Sequence, residues 1–520
     1  VTPLVLLLSC WQAPVPTIES FTRDGRGIPP AEIRVRHIGP GTTEIAIASP
    51  RASDWEFRFR ESNSVFGFGE RYNALDQTGQ VIVNRSSDTP GPKGTATYVP
   101  IPFFMSLSGY GLWLDTYAEA SFDVGRAVPG EIVVRFRDSR LRILIFDGPG
   151  FPKILERFTG VVGRPKLAPY WAFAPWKSRN WHPDMAAVYE DVDRYRQLGI
   201  PGDVLVLDSP WATNYNTFVM NRLQFTDPEA MIEHVHRQGF KLCLWLTAFI
   251  NKETIKAPEP ELVGKIPLTQ AANYEQAADS GYFLEDSTGG VYLATWWKGR
   301  GGLIDFSRPA AVRWWQNQVR QAIRQGADAF KADGGEGSFI AYPESLRTQY
   351  SVLYNRALEG LIEKDLHGDG VLFSRSGSVG SHDLPFIWAG DNQADFSRDN
   401  GLPSVVIAGL NAGLSGVSMW TRLGRLREDR AYARGRHGVR PLDRVLRVLA
   451  GDGGPLEHQP RPVGLWRPGT RHFPPLCPPA HESVSVPVCR GAGESPDGDA
   501  DHAGAGARIS DGLGGAQRHR

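Results

Sequence analysis

The chain has 520 residues, long enough for two or three domains. Its 57 Lys and Arg balance 57 Asp and Glu, and a formal net charge of zero argues against a general binder of nucleic acid or of anionic membranes. The four Cys, at 10, 243, 477 and 489, show neither metal-ligand spacing nor a disulfide framework, and the 15 Trp suit sugar rings as well as core packing.

The first residues, Leu4-Val5-Leu6-Leu7-Leu8-Ser9-Cys10, resemble the end of a bacterial lipoprotein signal with Cys10 as lipid acceptor, so 1–16 reads as a signal remnant. The basic stretch that should precede such a signal is missing. An exported, periplasmic lipoprotein and a cytoplasmic protein with a misassigned start both stay open. No other apolar run is long enough to span a membrane.

From 17 to 165 short alternating runs, such as Glu44-Ile45-Ala46-Ile47-Ala48 and Ile132-Val133-Val134-Arg135-Phe136, predict an N-terminal β-sandwich. Gly163-Arg164-Pro165 through Pro169 reads as a junction. From 166 to 420 the rhythm becomes strand, loop, helix. Strands are expected at Trp171–Pro175, Val204–Leu207, Leu242–Leu246, Ala329–Ala332, Val371–Ser374, Phe386–Ala389 and Gly416–Trp420. Helices are expected at Asp184–Leu198, Asp227–Gln238, Pro309–Gln325 and Pro343–Lys364, with Asp227-Pro228 as an N-terminal cap and Gly239 as a C-terminal one. This alternation predicts a parallel barrel, and the fold class is α/β: a β-sandwich followed by an incomplete (β/α)8 barrel whose last strand is missing. The excursion 251–300, holding Trp296 and Trp297, is expected to form a lid or subdomain over the barrel mouth.

Past 420 the composition breaks. The last hundred residues hold sixteen Arg and no Lys, with Pro-rich and Gly/Ala/Asp-rich runs and no sustained apolar periodicity. Residues 421–520 read as an aberrant, disordered tail, produced by out-of-frame translation of a high-GC gene. A basic tail that binds a partner is the other reading.

The chemistry is expected at the strand ends. An isolated Asp there is more often a helix cap than a catalyst. Here Asp208, Asp333 and Asp391 all follow strands, with Arg375 after another, and strand ends of a parallel barrel converge on one mouth. Two facing carboxylates are what glycosidic cleavage needs.

The residues that carry this pattern resemble glycoside hydrolase family 31, the α-glucosidase and α-xylosidase family. The resemblance rests on Gly67-Phe68-Gly69-Glu70-Arg71, Leu205-Val206-Leu207-Asp208, Leu303-Ile304-Asp305-Phe306-Ser307-Arg308-Pro309, Phe330-Lys331-Ala332-Asp333, Phe373-Ser374-Arg375-Ser376 and Trp388-Ala389-Gly390-Asp391-Asn392, in this order, and covers about residues 60 to 420. It implies a galactose-mutarotase-like sandwich and a retaining hydrolase acting on terminal α-linked glucosyl or xylosyl residues of an oligosaccharide or glycoside, with no cofactor and no metal. Asp333 is implied as nucleophile and Asp391 as acid, then base. The double displacement needs carboxyls roughly 5–5.5 Å apart. Arg375 and Lys331 are the cations expected to keep Asp333 ionised, while Trp388 and the neighbouring negative charge are expected to keep Asp391 protonated. Asp208 and Arg375 are implied as contacts of the sugar hydroxyls. Trp245 and Trp296 are candidate pocket walls, Asp88 a candidate from a sandwich loop, and Glu336 a supporting carboxylate or a loop cap. Arg179 is a candidate for an acidic sugar, with an ion-paired structural role as the simpler reading.

The sequence departs from the family after Trp420. The expected Asp-Ile-Gly-Gly stretch, the eighth strand and a sugar-binding His are not identifiable, and His437, His458, His472 and His481 lie in segments that match nothing. The chain as written is therefore expected to fold poorly and turn over weakly, and to be rescued by restoring the frame near 421. A non-catalytic carbohydrate-binding remnant, and a transglycosylase or lyase using the same site, remain alternatives.

Overall fold

The computed structural model describes residues 16–421, apart from 90–92, 256–258, 342–345 and 394, together with 426–427. The signal reading with Cys10, and the readings of the tail past 427, lie outside the described residues.

The N-terminal half is a ten-stranded, almost wholly antiparallel sheet. In chain order it comprises β1 (Ile18–Arg23), β2 (Arg26–Gly27), β3 (Arg34–Gly39), β4 (Thr42–Arg60), β5 (Val65–Gly69), β6 (Val81–Val83), β7 (Pro100–Ser106), β8 (Tyr110–Leu114), β9 (Ala120–Val124) and β10 (Glu131–Asp147). The alternating run 44–48 is one part of the single long β4. A break in the β4–β10 register lies between Asp138 and Arg140, and on either side of it β10 pairs with β9 and with β8. The sheet so wraps an aromatic core that includes Phe57, Phe59, Phe68, Phe104 and Phe122.

Strand β7 explains why Pro-Ile-Pro-Phe-Phe-Met-Ser lacks a polar alternation: all seven of its residues are buried. Successive side chains of a strand point to opposite faces. Phe104 enters the aromatic core, while Ile101, Phe103 and Met105 enter a second cluster shared with Ile154 and Phe158 of α1 (Phe151–Val162) and with Ile387, Ala408 and Ala412. Phe103 and Phe158 stack with centroids 3.8 Å apart and planes 2° from parallel.

The second half is a seven-stranded parallel sheet. Its strands are β11 (Trp176–Ser178), β12 (Val204–Leu207), β13 (Lys241–Leu246), β17 (Ala329–Ala332), β18 (Val371–Ser374), β19 (Phe386–Trp388) and β21 (Trp420–Thr421). Helices α2 (Met185–Gln197), α3 (Pro228–Arg237), α5 (Pro309–Arg324), α6 (Tyr350–Asp365) and α7 (Leu402–Gly413) connect them. The carboxylates of Asp184 and Asp227 cap α2 and α3 by accepting from the amides of Ala187 and Ala230. Among the described residues this is an incomplete barrel, as expected.

Three boundaries differ from expectation. Tyr170–Phe173 forms a 3-10 turn, and the first strand starts at Trp176 rather than Trp171, because Pro175 has no N–H to give to a ladder. The turn that ends α7 runs to Gly416, with Val417 N–H donating to the Ala412 carbonyl, so the last strand is only Trp420–Thr421. Helix α6 starts at Tyr350, after a turn over 347–349.

The excursion after the third strand is a three-stranded antiparallel sheet of β14 (Phe249–Thr254), β15 (Leu293–Trp296) and β16 (Gly299–Leu303), with the short α4 (Tyr274–Asp279) beside it. A parallel pair, β20 (Asn392–Gln393) and β22 (Leu426–Arg427), completes the described strands.

Parity within the barrel strands decides what points where. Leu205, Leu207, Leu242, Leu244, Phe330, Ala332 and Leu372 pack in the cluster that contains the helices. Val204, Val206, Cys243, Ala329, Val371, Phe373, Phe386 and Trp388 pack together in another, the barrel interior. The numbers 208, 245, 331, 333, 375 and 388 all carry the interior parity of their strands.

Phe158 has no exposed surface. Phe158→Ala is expected to cost about 3–5 kcal/mol, as for other buried aromatics. The check is a lower denaturant midpoint at unchanged slope.

Candidate active site

Asp333 follows β17, and its amide extends the parallel ladder by donating to Leu246 (2.9 Å). Its carboxylate is nearly buried, at 7% residue exposure. Oδ2 accepts from the Trp245 indole N–H (2.8 Å), and Oδ1 accepts from the Gly334 amide (3.0 Å) and lies 3.0 Å from Arg375 Nε. Gly334 and Gly335 both have positive φ (72° and 83°), which lets the chain turn away directly after the carboxylate.

Arg375 follows β18 and is tied to the same ladder through its amide, which donates to Ala332 (3.0 Å). Its guanidinium is shared by three carboxylates: Asp333, Glu336 (Nε to Oε1, 2.6 Å) and Asp88 (Nη2 to Oδ1, 3.6 Å). It also lies over the rings of Tyr98 (4.9 Å), Trp297 (5.1 Å) and Trp388 (5.9 Å). Burial alone would weaken its hold on the proton, but Asp333, Glu336 and Asp88 outweigh that and raise its pKa.

Glu336 is fully buried. Burial pushes its carboxyl up to about 7, and Asp88 and Asp333 add to this against the pull of Arg375. Asp88 is raised by burial as well, with Arg375 opposing and Asp333 and Asp391 adding. The field of Asp391 therefore reaches Asp88, as it does Lys93 and Tyr98. Asp391 itself lies just past β19 and is half-buried.

Lys331 does not sit as expected. Its ion pair is with Asp208 (2.6 Å), whose other oxygen accepts from the Ser209 amide (2.8 Å), and its ammonium lies over Trp388 (4.5 Å). The cation that pairs with Asp333 is Arg375. Lys331 and Asp208 instead form a neutralised pair inside the barrel, beside the site.

Trp245 and Trp296 are stacked 6.3 Å apart and 11° from parallel. Phe249 stacks on Trp296 (4.6 Å), and the Trp296 indole N–H donates to Asn251 Oδ1 (2.7 Å). The excursion so delivers Trp296 and Trp297 to the barrel mouth. Arg179 is engaged by Asp191 and Glu190 of α2, which favours its structural reading. Trp297, Tyr98 and Lys93 are not among the site candidates that the sequence offers. The neighbouring Trp296 was the available signal for Trp297; nothing local marks the other two.

Arg375 Nη2, Glu336 Oε2 and Trp388 Nε1 are buried without hydrogen-bond partners. Among the described residues no cluster of His, Cys, Asp and Glu could hold a metal ion, and no helix is long and apolar enough to cross a membrane.

A parallel barrel sheet carrying carboxylates, a shared arginine and stacked tryptophans at its strand ends, preceded by an antiparallel sheet domain, has the layout of a barrel glycosidase. The family model for the "Glycosyl hydrolases family 31 TIM-barrel domain" matches residues 165–422, and that for the "Glycosyl hydrolase 31 N-terminal galactose mutarotase-like domain" matches 38–123. The chain belongs to glycosyl hydrolase family 31. It is 29% identical over 371 residues to the alpha-xylosidase XylQ of Lactiplantibacillus pentosus, covering 69% of this chain and 46% of that protein. It is 27% identical over 399 residues to an isomaltosyltransferase of Sporosarcina globispora, covering 69% and 35%. It is also similar to the cycloalternan-degrading enzyme of Trueperella pyogenes solved in complex with a covalent intermediate, at 26% identity and TM-score 0.62, covering 73% and 56%. The chain spans about half the length of the curated alpha-xylosidase it matches.

The pH dependence of stability is a check on the carboxylate cluster. Glu336 has a folded pKa of about 7 against an ordinary 4.5, so between these values the native state binds more protons than the unfolded one. Stability is then fully present below 4.5, falls as pH rises to about 7, and is level above. Glu70 and Glu359, also pushed up to about 7 chiefly by burial, add the same slope. Glu336→Gln should remove one group's share, on the order of a few kcal/mol above pH 7. Melting curves between pH 4 and 8 that run parallel for the two proteins would count against this assignment.

Proposed function

We propose that this chain carries the catalytic centre of a retaining α-glycoside hydrolase that releases terminal α-linked xylosyl or glucosyl residues by double displacement, without a cofactor. The observation that carries the reading is the contact set of Asp333: two N–H donors and a guanidinium converge on its carboxylate and fix its attack direction.

In the first step Asp333 attacks the anomeric carbon while Asp391 gives its proton to the departing glycosidic oxygen. The C–O bond of the substrate breaks as an ester-like bond to Asp333 forms. In the second step Asp391 takes a proton from water, whose oxygen displaces Asp333 and regenerates both groups. The Asp208–Lys331 pair and Arg375 supply polar contacts for the sugar hydroxyls. The polar atoms of Arg375, Glu336 and Trp388 that make no hydrogen bond are groups that hydroxyls of a bound sugar would satisfy. The stacked tryptophans offer an apolar wall for the ring. The similarity to XylQ supports a xyloside, and the covalent intermediate of the Trueperella enzyme supports the two-step course.

A second reading is transfer of the glycosyl group to a sugar in place of water, which the similarity to an isomaltosyltransferase favours. The same first step serves both, and only the acceptor differs.

The test is turnover of p-nitrophenyl α-xyloside and α-glucoside. Asp333→Ala is expected to lose roughly a thousandfold or more, since a nucleophile and its partners act as a unit. Proton NMR of the product should show the α-anomer first. First appearance of the β-anomer would exclude double displacement, and excess sugar acceptor giving longer products would favour transfer.

A further inference from the structure

The two reacting carboxyls are held in different ways. Asp333 is fixed by its own strand and by Arg375. Asp391 follows Ala389 and Gly390, and there the grip comes from the N-terminal sheet domain. The Tyr72 hydroxyl donates to the carbonyl of Ala389. The ring of Tyr98 packs against Gly390 so closely that a Cβ on that residue would lie 2.2 Å from Tyr98 Cε2, and Gly390 has φ +69°. The opposite demand on Tyr98 is Arg375, whose guanidinium lies 4.9 Å from its ring centre. The Tyr98 carbonyl also accepts from the Gly377 amide (3.3 Å), two residues past Arg375, and from the Ser86 hydroxyl (2.8 Å).

Lys93 completes the arrangement. It is 3% exposed, and its ammonium donates to the Tyr98 hydroxyl (2.9 Å) and to the Thr89 carbonyl. The ammonium lies over the rings of Tyr98 (4.6 Å) and Tyr72 (5.7 Å). Its backbone amide donates to the Asp399 carbonyl (3.3 Å), on the loop that follows Asp391. Burial draws the Lys93 pKa down to about 8, and Asp391 is the foremost charge opposing this, ahead of Asp88 and Glu70, while Arg375 adds to the fall. A buried ammonium so placed is still charged at neutral pH, with Asp391 as its leading counter-charge.

We propose that Lys93 and Tyr98 are positioning residues for Asp391: the tyrosine ring fixes the peptide that aims the carboxyl, and the lysine supplies the charge that steadies the carboxylate once its proton has left. The inference rests on the acid/base role given to Asp391 above. The sheet domain then contributes to proton transfer although none of its residues reacts. Substrates whose leaving group needs a proton should depend on the pair; those whose leaving group departs unaided should not.

The experiment compares an α-glycosyl fluoride, which leaves with little protonation, with the matching phenyl α-glycoside, on the 520-residue chain. Lys93→Met is expected to lower kcat/KM for the phenyl glycoside by about tenfold to a hundredfold, and for the fluoride by less than about threefold. Lys93→Arg should recover most of the loss. Tyr98→Phe keeps the ring but not the oxygen that accepts from Lys93, and should show the same split in weaker form; it carries the test if Lys93→Met does not fold. Equal losses on both substrates would mean a merely structural role and would overturn the inference, as would no loss on either. Asp391→Ala is the control that separates the two levels. If it shows the split and the Lys93 and Tyr98 variants do not, only the inference fails. If it shows none, the acid/base assignment fails and takes the inference with it.

Discussion

The site is organised around one guanidinium. Arg375 is a single buried cation facing Asp333, Glu336 and Asp88. Two buried carboxylates and a partly buried third crowd this guanidinium, and their mutual repulsion carries an electrostatic cost. Burial pushes both Glu336 and Asp88 up towards their protonated forms, while the guanidinium holds Glu336 at 2.6 Å and Asp333 at 3.0 Å. Aromatic faces on several sides of Arg375 exclude water and make its direction a fixed property of the fold.

Much of this was legible in the sequence because a barrel strand has period two. Val204, Val206 and Asp208 share one parity, as do Ala329, Lys331 and Asp333, and Val371, Phe373 and Arg375. Once the strands are located, the residue one step beyond each end must point to the mouth. Lys331 shows the limit of this. Parity puts it inside the barrel, but whether it meets Asp333 or Asp208 depends on the neighbouring strand's reach, which spacing does not carry. The boundaries that differed have local causes: Pro175 cannot enter a ladder, and the turn closing α7 consumes residues that read as strand.

The contribution of the sheet domain was harder to read. Lys93 and Tyr98 lie nearly three hundred residues from Asp391, in a loop with no motif. What places them is β7, whose outward face packs on α1, Ile387 and α7 and so brings the preceding loop under Gly390. Likewise Glu70, in the recognisable Gly67-Phe68-Gly69-Glu70-Arg71 stretch, finds its partner in the indole of Trp420, which donates to it across the same contact (2.8 Å). The motif was visible; its meaning as a joint needed the partner.

Strand β7 belongs to two cores at once. Phe104 is a member of one, and Ile101, Phe103 and Met105 of the other. If the barrel half were to open, that second face would be left in water; if the sheet were to open, the barrel would lose the floor beneath the loop that carries Asp391. Neither half can loosen without loading the other with exposed apolar surface. The boundary between them is a division of sequence more than of cooperativity, and selection acting on one half must reckon with the melting of both.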